Sequence, residues 1–199
     1  MLIATICGSL QPASANGAVL AVMEGAVRQQ GHEIRRVDGL DTLPPFRPDV
    51  ESPGPVAAWS TSVSGADAVL ISSPEYAAGP PGALKNALDW AVGLSTLYRT
   101  PVGLVCAGST GGAFTIEALV RTLSYQGALT VATLGIAAVR TKLGPSGDIT
   151  DPATASAVAT VVDRVLRAVG ADEPTLLSMV SEVVGAHGVD PARFGLSPG

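Results

Sequence analysis

The chain has 199 residues, of which 47% are hydrophobic, and a formal charge of −5. This length and a mean hydropathy of +0.38 fit one domain with a substantial core and exclude a disordered chain. A pI near 4.9 without a basic patch argues against nucleic acid and anionic membrane surfaces as partners.

No apolar run reaches the ~18 residues of a membrane-spanning helix. The opening run, Leu2 to Cys7, is too short and lacks the basic flank of a signal peptide, so a cytoplasmic protein is expected. Cys7, Cys106, His32 and His187 are scattered without zinc-site spacing, so no metal is expected.

Met1 to Cys7 reads as a buried strand ending in Gly8-Ser9. A loop rich in Ser, Gly and Asn follows. A helical stripe then runs from about Gly17 to Gln30 through Val19, Val22, Met23, Ala26 and Val27. Ser14 or Asn16 is placed to cap it, and Gly31 to stop it. His32 to Val37 reads as an edge strand, and the proline-rich stretch after it as a loop. Val56, Trp59 and Val63 mark a short helix. The run Asp67 to Ile71 is a strand that breaks at Ser72-Ser73-Pro74. After a Gly/Pro-rich loop comes a helix with Leu84, Leu88, Ala91 and Val92 as its apolar face. Pro101 to Cys106 is a strand, followed by the small-residue loop 107–112 and a helix to about Tyr125. Ala128 to Ala132 is a fifth strand, with Leu134 to Val139 continuing extended. Asp151-Pro152 caps a helix that Gly170 ends. Pro174 opens a last amphipathic helix, perched on a tail that is expected to be mobile from Gly188.

Five alternations of strand and helix specify a parallel sheet with helices on both faces. The loops at 8–16, 73–82 and 107–113 each follow a strand and precede a helix, so they emerge at one edge of the sheet, where open α/β sheets bind ligands. The first loop offers hydroxyls, amides and free backbone N–H groups at a helix start, which suits a phosphate, although a polar turn with a helix cap explains it equally well. It is neither a Walker A loop nor a dinucleotide fingerprint. Ser109-Thr110-Gly111-Gly112 opens another helix; taken alone, a turn needing positive φ is its simpler reading. In the central loop Glu75 is a proton donor or, more commonly for such a carboxylate, a cap or a solvated group. Tyr76 lines a flat ligand or roofs the core. Lys85 and Asp89 are spaced to pair. Trp90 belongs to core or interface, and Leu94, Leu97 and Tyr98 are apolar enough to join it at an interface. In a sheet of order 2-1-3-4-5, Cys7 and Cys106 lie two strand spacings apart, about 9.6 Å, beyond disulfide reach, so both are expected to be free thiols.

Together these loops resemble the NAD(P)H-dependent FMN reductase family of flavodoxin-like flavoproteins. The match lies in Pro74-Glu75-Tyr76, in Pro81-Gly82-x-Leu84-Lys85-Asn86-Ala87-Leu88-Asp89-Trp90, in Gly8-Ser9-Leu10 with Ser14-x-Asn16, and in Leu43 to Glu51. The resemblance implies a three-layer flavodoxin-like α/β fold, with a five-stranded parallel sheet of order 2-1-3-4-5 and an added C-terminal helix. It covers roughly residues 1–170 and leaves the last 29 outside, so the chain divides into an FMN-binding domain over 1–171 and a helix and tail over 172–199, the latter available to pack on another subunit.

It also implies site residues. Ser9, Gln11, Ser14, Ala15 and Asn16 would hold the FMN phosphate. Pro74, Glu75, Tyr76 and Ala77 would run along the isoalloxazine. Ser109, Thr110, Gly111 and Gly112 would meet its pyrimidine side. The backbones of Glu75, Tyr76, Gly111 and Gly112 would serve the chemistry, with no certain catalytic side chain. Gln11 stands where the family usually has Arg, and Ala77 where it usually has Asn; these departures predict a looser hold on the flavin. The implied activity is hydride transfer from NADPH or NADH to FMN and on to a quinone-like, flavin or other small acceptor, by a ping-pong route in a homodimer or homotetramer. A flavin-binding electron carrier and a flavin-free binding protein are the competing readings.

Overall fold

A computed structural model describes residues 1–195. Five parallel strands, β1 (Leu2–Cys7), β2 (Glu33–Val37), β3 (Ala68–Ser73), β4 (Pro101–Ala107) and β5 (Leu129–Ile136), lie in the order β2-β1-β3-β4-β5. β3 and β4 are buried along their whole length, which is why they read as unbroken apolar runs: helices cover both their faces. β2, with Glu33, Arg35 and Arg36, is the exposed edge.

The helices are α1 (Ala15–Gln29), α2 (Gly54–Val63), α3 (Gly82–Leu94), α4 (Ala113–Tyr125), α5 (Pro152–Val169) and α6 (Glu173–Ala186). Right-handed crossovers put α1 and α5, which pack on each other, on one face, and α2, α3 and α4 on the other. This is the flavodoxin-like three-layer arrangement.

Several expectations shift at the periphery. Val92 is exposed; the buried face of α3 is instead Leu84, Ala87, Leu88, Trp90 and Ala91. Trp90 and Leu97 are core residues, not interface. Trp90 meets Phe46 edge-on with ring centroids 5.0 Å apart, and its Nε1 donates to the Pro44 carbonyl at 2.8 Å. Asn86 Nδ2 also donates to that carbonyl, so α3 holds down the proline-rich loop. Leu94 and Tyr98 are exposed. Cys7 and Cys106 are free thiols. The segment 134–139 is not extended throughout, because β5 ends at Ile136 and a 3-10 turn begins at Val139.

α6 packs within this chain. It lies along β5 and touches both α4 and α5, so it covers the second edge of the sheet. Val131 is an extra residue in the β4–β5 pairing. Its carbonyl accepts from Arg164 Nε at 2.5 Å, and Arg164 Nη2 reaches Glu182 of α6 at 2.6 Å. One side chain therefore satisfies the bulge and ties the helix to it. Beyond Gly188 the chain is still packed: Val189 is buried, residues Pro191–Phe194 form a 3-10 turn, and the Arg193 guanidinium sits 3.7 Å from the centre of the Tyr125 ring. Residues 196–199 of the tail lie outside the described residues.

Candidate functional site

The carboxyl ends of β1, β3, β4 and β5 open into one cleft of about 930 Å³. At its β1 side, Ser14 caps α1 with extended backbone, and its hydroxyl accepts from Gly17 N at 2.9 Å. Ser9 Oγ accepts from Gln11 N at 3.2 Å, which curls the loop inward. Gly8 lets the loop leave β1 close to β3: a Cβ there would stand 2.9 Å from Ser73 Oγ. Ala15 and Asn16, the first residues of α1, line the cleft, and a helix start there favours an anion.

The Asn16 side chain has a different task from phosphate binding. It is buried, its Nδ2 donates to the Ala107 carbonyl at 2.9 Å, and its Oδ1 accepts from Ala107 N and Ser72 Oγ, each at 3.1 Å. The carboxamide thus bolts the start of α1 to the ends of β3 and β4. The part of Asn16 left for a ligand is its backbone.

The central loop is built around Glu75. One carboxylate oxygen accepts from Thr115 N at 2.9 Å and the other from the Thr110 hydroxyl at 3.2 Å. Glu75 therefore caps α4 from the neighbouring loop, meeting the positive end of that helix. This revises the expectation for Gly111 and Gly112. Their helix end already carries a carboxylate, and neither they nor Thr110 line the cleft. Gly112, at φ 70, lies so close to β4 that a Cβ would fall 2.1 Å from Cys106 Sγ. Burial, and secondarily the Glu75 charge, pushes the Cys106 thiol up to about 12, so it stays protonated.

Pro74, Glu75 and Tyr76 line the cleft and Ala77 does not. Tyr76 is 56% exposed, so it stands at the rim and does not roof the core. The backbones of Tyr76 and Gly79 bond reciprocally at 2.9 and 3.0 Å, closing a turn with Ala77 at φ 49 and Ala78 at φ 58. Both alanines are left-handed, a conformation that favours Gly or Asn.

A fourth loop, after β5, also lines the cleft through Ala138, Val139, Arg140, Thr141 and Leu143. It is laced to the third: Ala138 N donates to the Ser109 carbonyl at 3.1 Å and Val139 N to that of Gly108 at 3.2 Å. Ser109 thereby stays in the lining. Sequence reasoning missed this loop because no helix follows β5 directly. The available signal was topological, since a fifth parallel strand must also end at this edge.

A flavodoxin-like sheet with an open cleft at its carboxyl edge and a helix start in the cleft lining is the architecture of a ligand-binding open α/β protein. The sequence pattern of the NADPH-dependent FMN reductase family matches residues 1–141, and the chain belongs to that family. It is 37% identical over 118 residues to a probable NADPH:quinone oxidoreductase 1 of Oryza sativa subsp. japonica, covering 55% of this chain and 59% of that protein. It is 33% identical over 104 residues to a quinone reductase of Escherichia coli (strain K12), covering 50% and 53%. The chain thus spans little more than half the length of these curated relatives. Among solved structures, the flavoenzyme NAD(P)H:(acceptor) oxidoreductase FerB of Paracoccus denitrificans superposes with a TM-score of 0.68 at 24% identity, over 83% of this chain and 97% of that one. An oxidised flavodoxin 1 of Bacillus cereus gives 0.58 at 11% identity, over 84% and 98%. Both likenesses concern the fold. Among the described residues no helix is long and apolar enough to cross a membrane.

The cleft fits FMN, the group named by the family. Two helix-start amides with the hydroxyls of Ser9 and Ser14 beside them suit a phosphate ester. Pro74 to Tyr76 and Ala107 to Ser109 line the rest of the cleft, and the small residues Ala107, Gly108 and Ser109 leave room for a flat ring system.

Proposed function

We propose that this protein is an FMN-dependent NAD(P)H oxidoreductase that reduces a quinone-like, flavin or other small acceptor. The observation that carries the reading is the cleft that has the Ser14-capped start of α1, the exposed Tyr76 and the loops after β3, β4 and β5 in one lining. In this reading Ser9, Gln11, Ser14, and the amides of Ala15 and Asn16 hold the phosphate. Pro74, Glu75 and Tyr76 flank the ring system, with Ala77 shaping the turn behind them. Ser109 borders the cleft from the third loop, and Thr110, Gly111 and Gly112 support that loop.

FMN, when bound, would supply the two-electron chemistry that links reduced nicotinamide to the acceptor. The chain contributes position and field. Tyr76, at the rim, orients whichever planar substrate enters the cleft. Glu75, held by Thr115 N and Thr110, keeps the second and third loops at fixed spacing and serves as a positioning residue. Donor and acceptor use the same opening in turn, which gives ping-pong kinetics. Residues 1–171 form the flavin-binding unit. The stretch 172–199 completes its edge through α6, and the protein acts in the cytoplasm as a homo-oligomer without nucleic-acid partners.

The test is spectroscopic. Protein loaded with FMN and freed of excess should show a bound-flavin band that NADPH or NADH bleaches without oxygen, and adding a quinone should restore it. A retained band that neither nucleotide bleaches would favour an electron carrier. Failure to bind FMN at all would leave a flavin-free binding protein. With turnover in hand, initial-rate lines that intersect instead of running parallel would rule out the shared opening.

A further inference from the structure

The phosphate-binding side of the cleft has no charge of its own. Ser9, Gln11 and Ser14 are neutral, and the helix start supplies only partial positive charge. Glu75, in the same lining from the loop after β3, adds a negative one. Two charged residues line the cleft among the described residues, and the other is Arg140.

Three observations make Arg140 more than a passing surface cation. Its turn is anchored on both sides: Val139 is buried and donates to the Gly108 carbonyl at 3.2 Å, while Thr150 N donates to the Lys142 carbonyl at 2.9 Å. The neighbouring Lys142 is drawn away to Asp151 at 3.8 Å, whereas Arg140 has no carboxylate partner among the described residues. Arg36, near the same helix start, lies with Glu24 at 3.9 Å and Asp38 at 3.7 Å, and faces the adjoining recesses rather than this cleft.

We infer that Arg140 is the charged ligand for the phosphate of bound FMN, brought over from the fourth loop to a binding loop that has no cation. This rests on the flavin reading above and deepens it. A guanidinium offers forked donors matched to phosphate oxygens, so a phosphate held by Ser14, the α1 amides and Arg140 would be both oriented and neutralised.

The experiment compares FMN with riboflavin, which lacks the phosphate, by flavin fluorescence titration of the wild-type protein and of Arg140→Gln and Arg140→Lys. Arg140 is exposed, and a thermal melt checks that the variants fold. The expected result is that R140Q weakens FMN binding by about 10- to 100-fold, the range for a charged hydrogen bond. Riboflavin binding should be unchanged, R140K should recover part of the loss, and the salt dependence of FMN binding should flatten in R140Q. An FMN-over-riboflavin preference that survives R140Q intact overturns the assignment. So does a variant whose affinity falls for NADPH alone, which would place Arg140 on the dinucleotide. Wild-type protein that binds neither flavin overturns the flavin reading itself, and this assignment with it.

Discussion

Two helix starts lie at the carboxyl edge of the sheet, α1 lining the cleft and α4 set behind it, and they are finished in opposite ways. α1 is capped by the Ser14 hydroxyl, which satisfies Gly17 N. α4 is capped by the Glu75 carboxylate, brought in from another loop. The first is finished by a neutral hydroxyl and the second by a carboxylate from the chain itself. A helix N-terminus with glycines before it is thus no guide to where negative charge is stabilised, because a distant carboxylate can already occupy it.

The strongest way to break the α4 end is Gly112→Ala. It places a methyl 2.1 Å from Cys106 Sγ at a backbone φ of 70, and should cost at least ~3 kcal/mol in denaturant melts. At the α1 end, Asn16→Ala leaves Ala107 and Ser72 without their buried partner and should cost ~2–4 kcal/mol. A substitution at Asn16 that weakened FMN binding without lowering stability would instead give the side chain a ligand role.

Glu75→Gln should cost ~1 kcal/mol at neutral pH, since the amide oxygen still accepts from Thr115 N but the charge opposite the helix dipole is lost. It also changes the pH profile. Burial, and after it the Glu75 charge, pushes the folded Cys106 thiol up from an ordinary 9.0 to about 12. Its protonated form is therefore favoured in the folded state, and the stability it supports is present below pH 9 and lost as pH rises toward 12. Glu75→Gln should shrink that window from above, read by thiolate absorbance and melting between pH 8 and 12. Burial, the larger cause, should keep the window open. Cys106→Ser should remove it.

The smallest effect is a gain. Ala78→Gly relieves one of two left-handed alanines in the turn behind Tyr76 and should stabilise the protein by ~1 kcal/mol. A gain in stability accompanied by slower turnover would show that the strain helps hold Tyr76 at the rim.

The layered fold was legible in the chain because its signals are local. Apolar runs such as Ala68 to Ile71, the Asp151-Pro152 cap and the Gly31 stop each declare an element within a few residues. The candidate loops were legible too, since strand, loop and helix in that order fix their edge of the sheet. Ser9, Gln11, Ser14, Pro74, Glu75, Tyr76 and Ser109 all reach the same cleft.

What each side chain does there depended on partners far away in sequence. Asn16 was spent on Ala107, 91 residues on, and Glu75 on Thr115, 40 residues on. Arg140 entered the cleft because an edge strand and two backbone hydrogen bonds carried its turn there. α6 reads as a spare amphipathic helix until the open edge of β5 gives it a surface to cover. Local patterning thus determined which segments are strand, helix or ligand-facing loop, because those choices are made by neighbours in the chain. The assignment of each polar group to structure or to ligand was left to the tertiary fold, because hydrogen bonds and charge pairing are settled by neighbours in space.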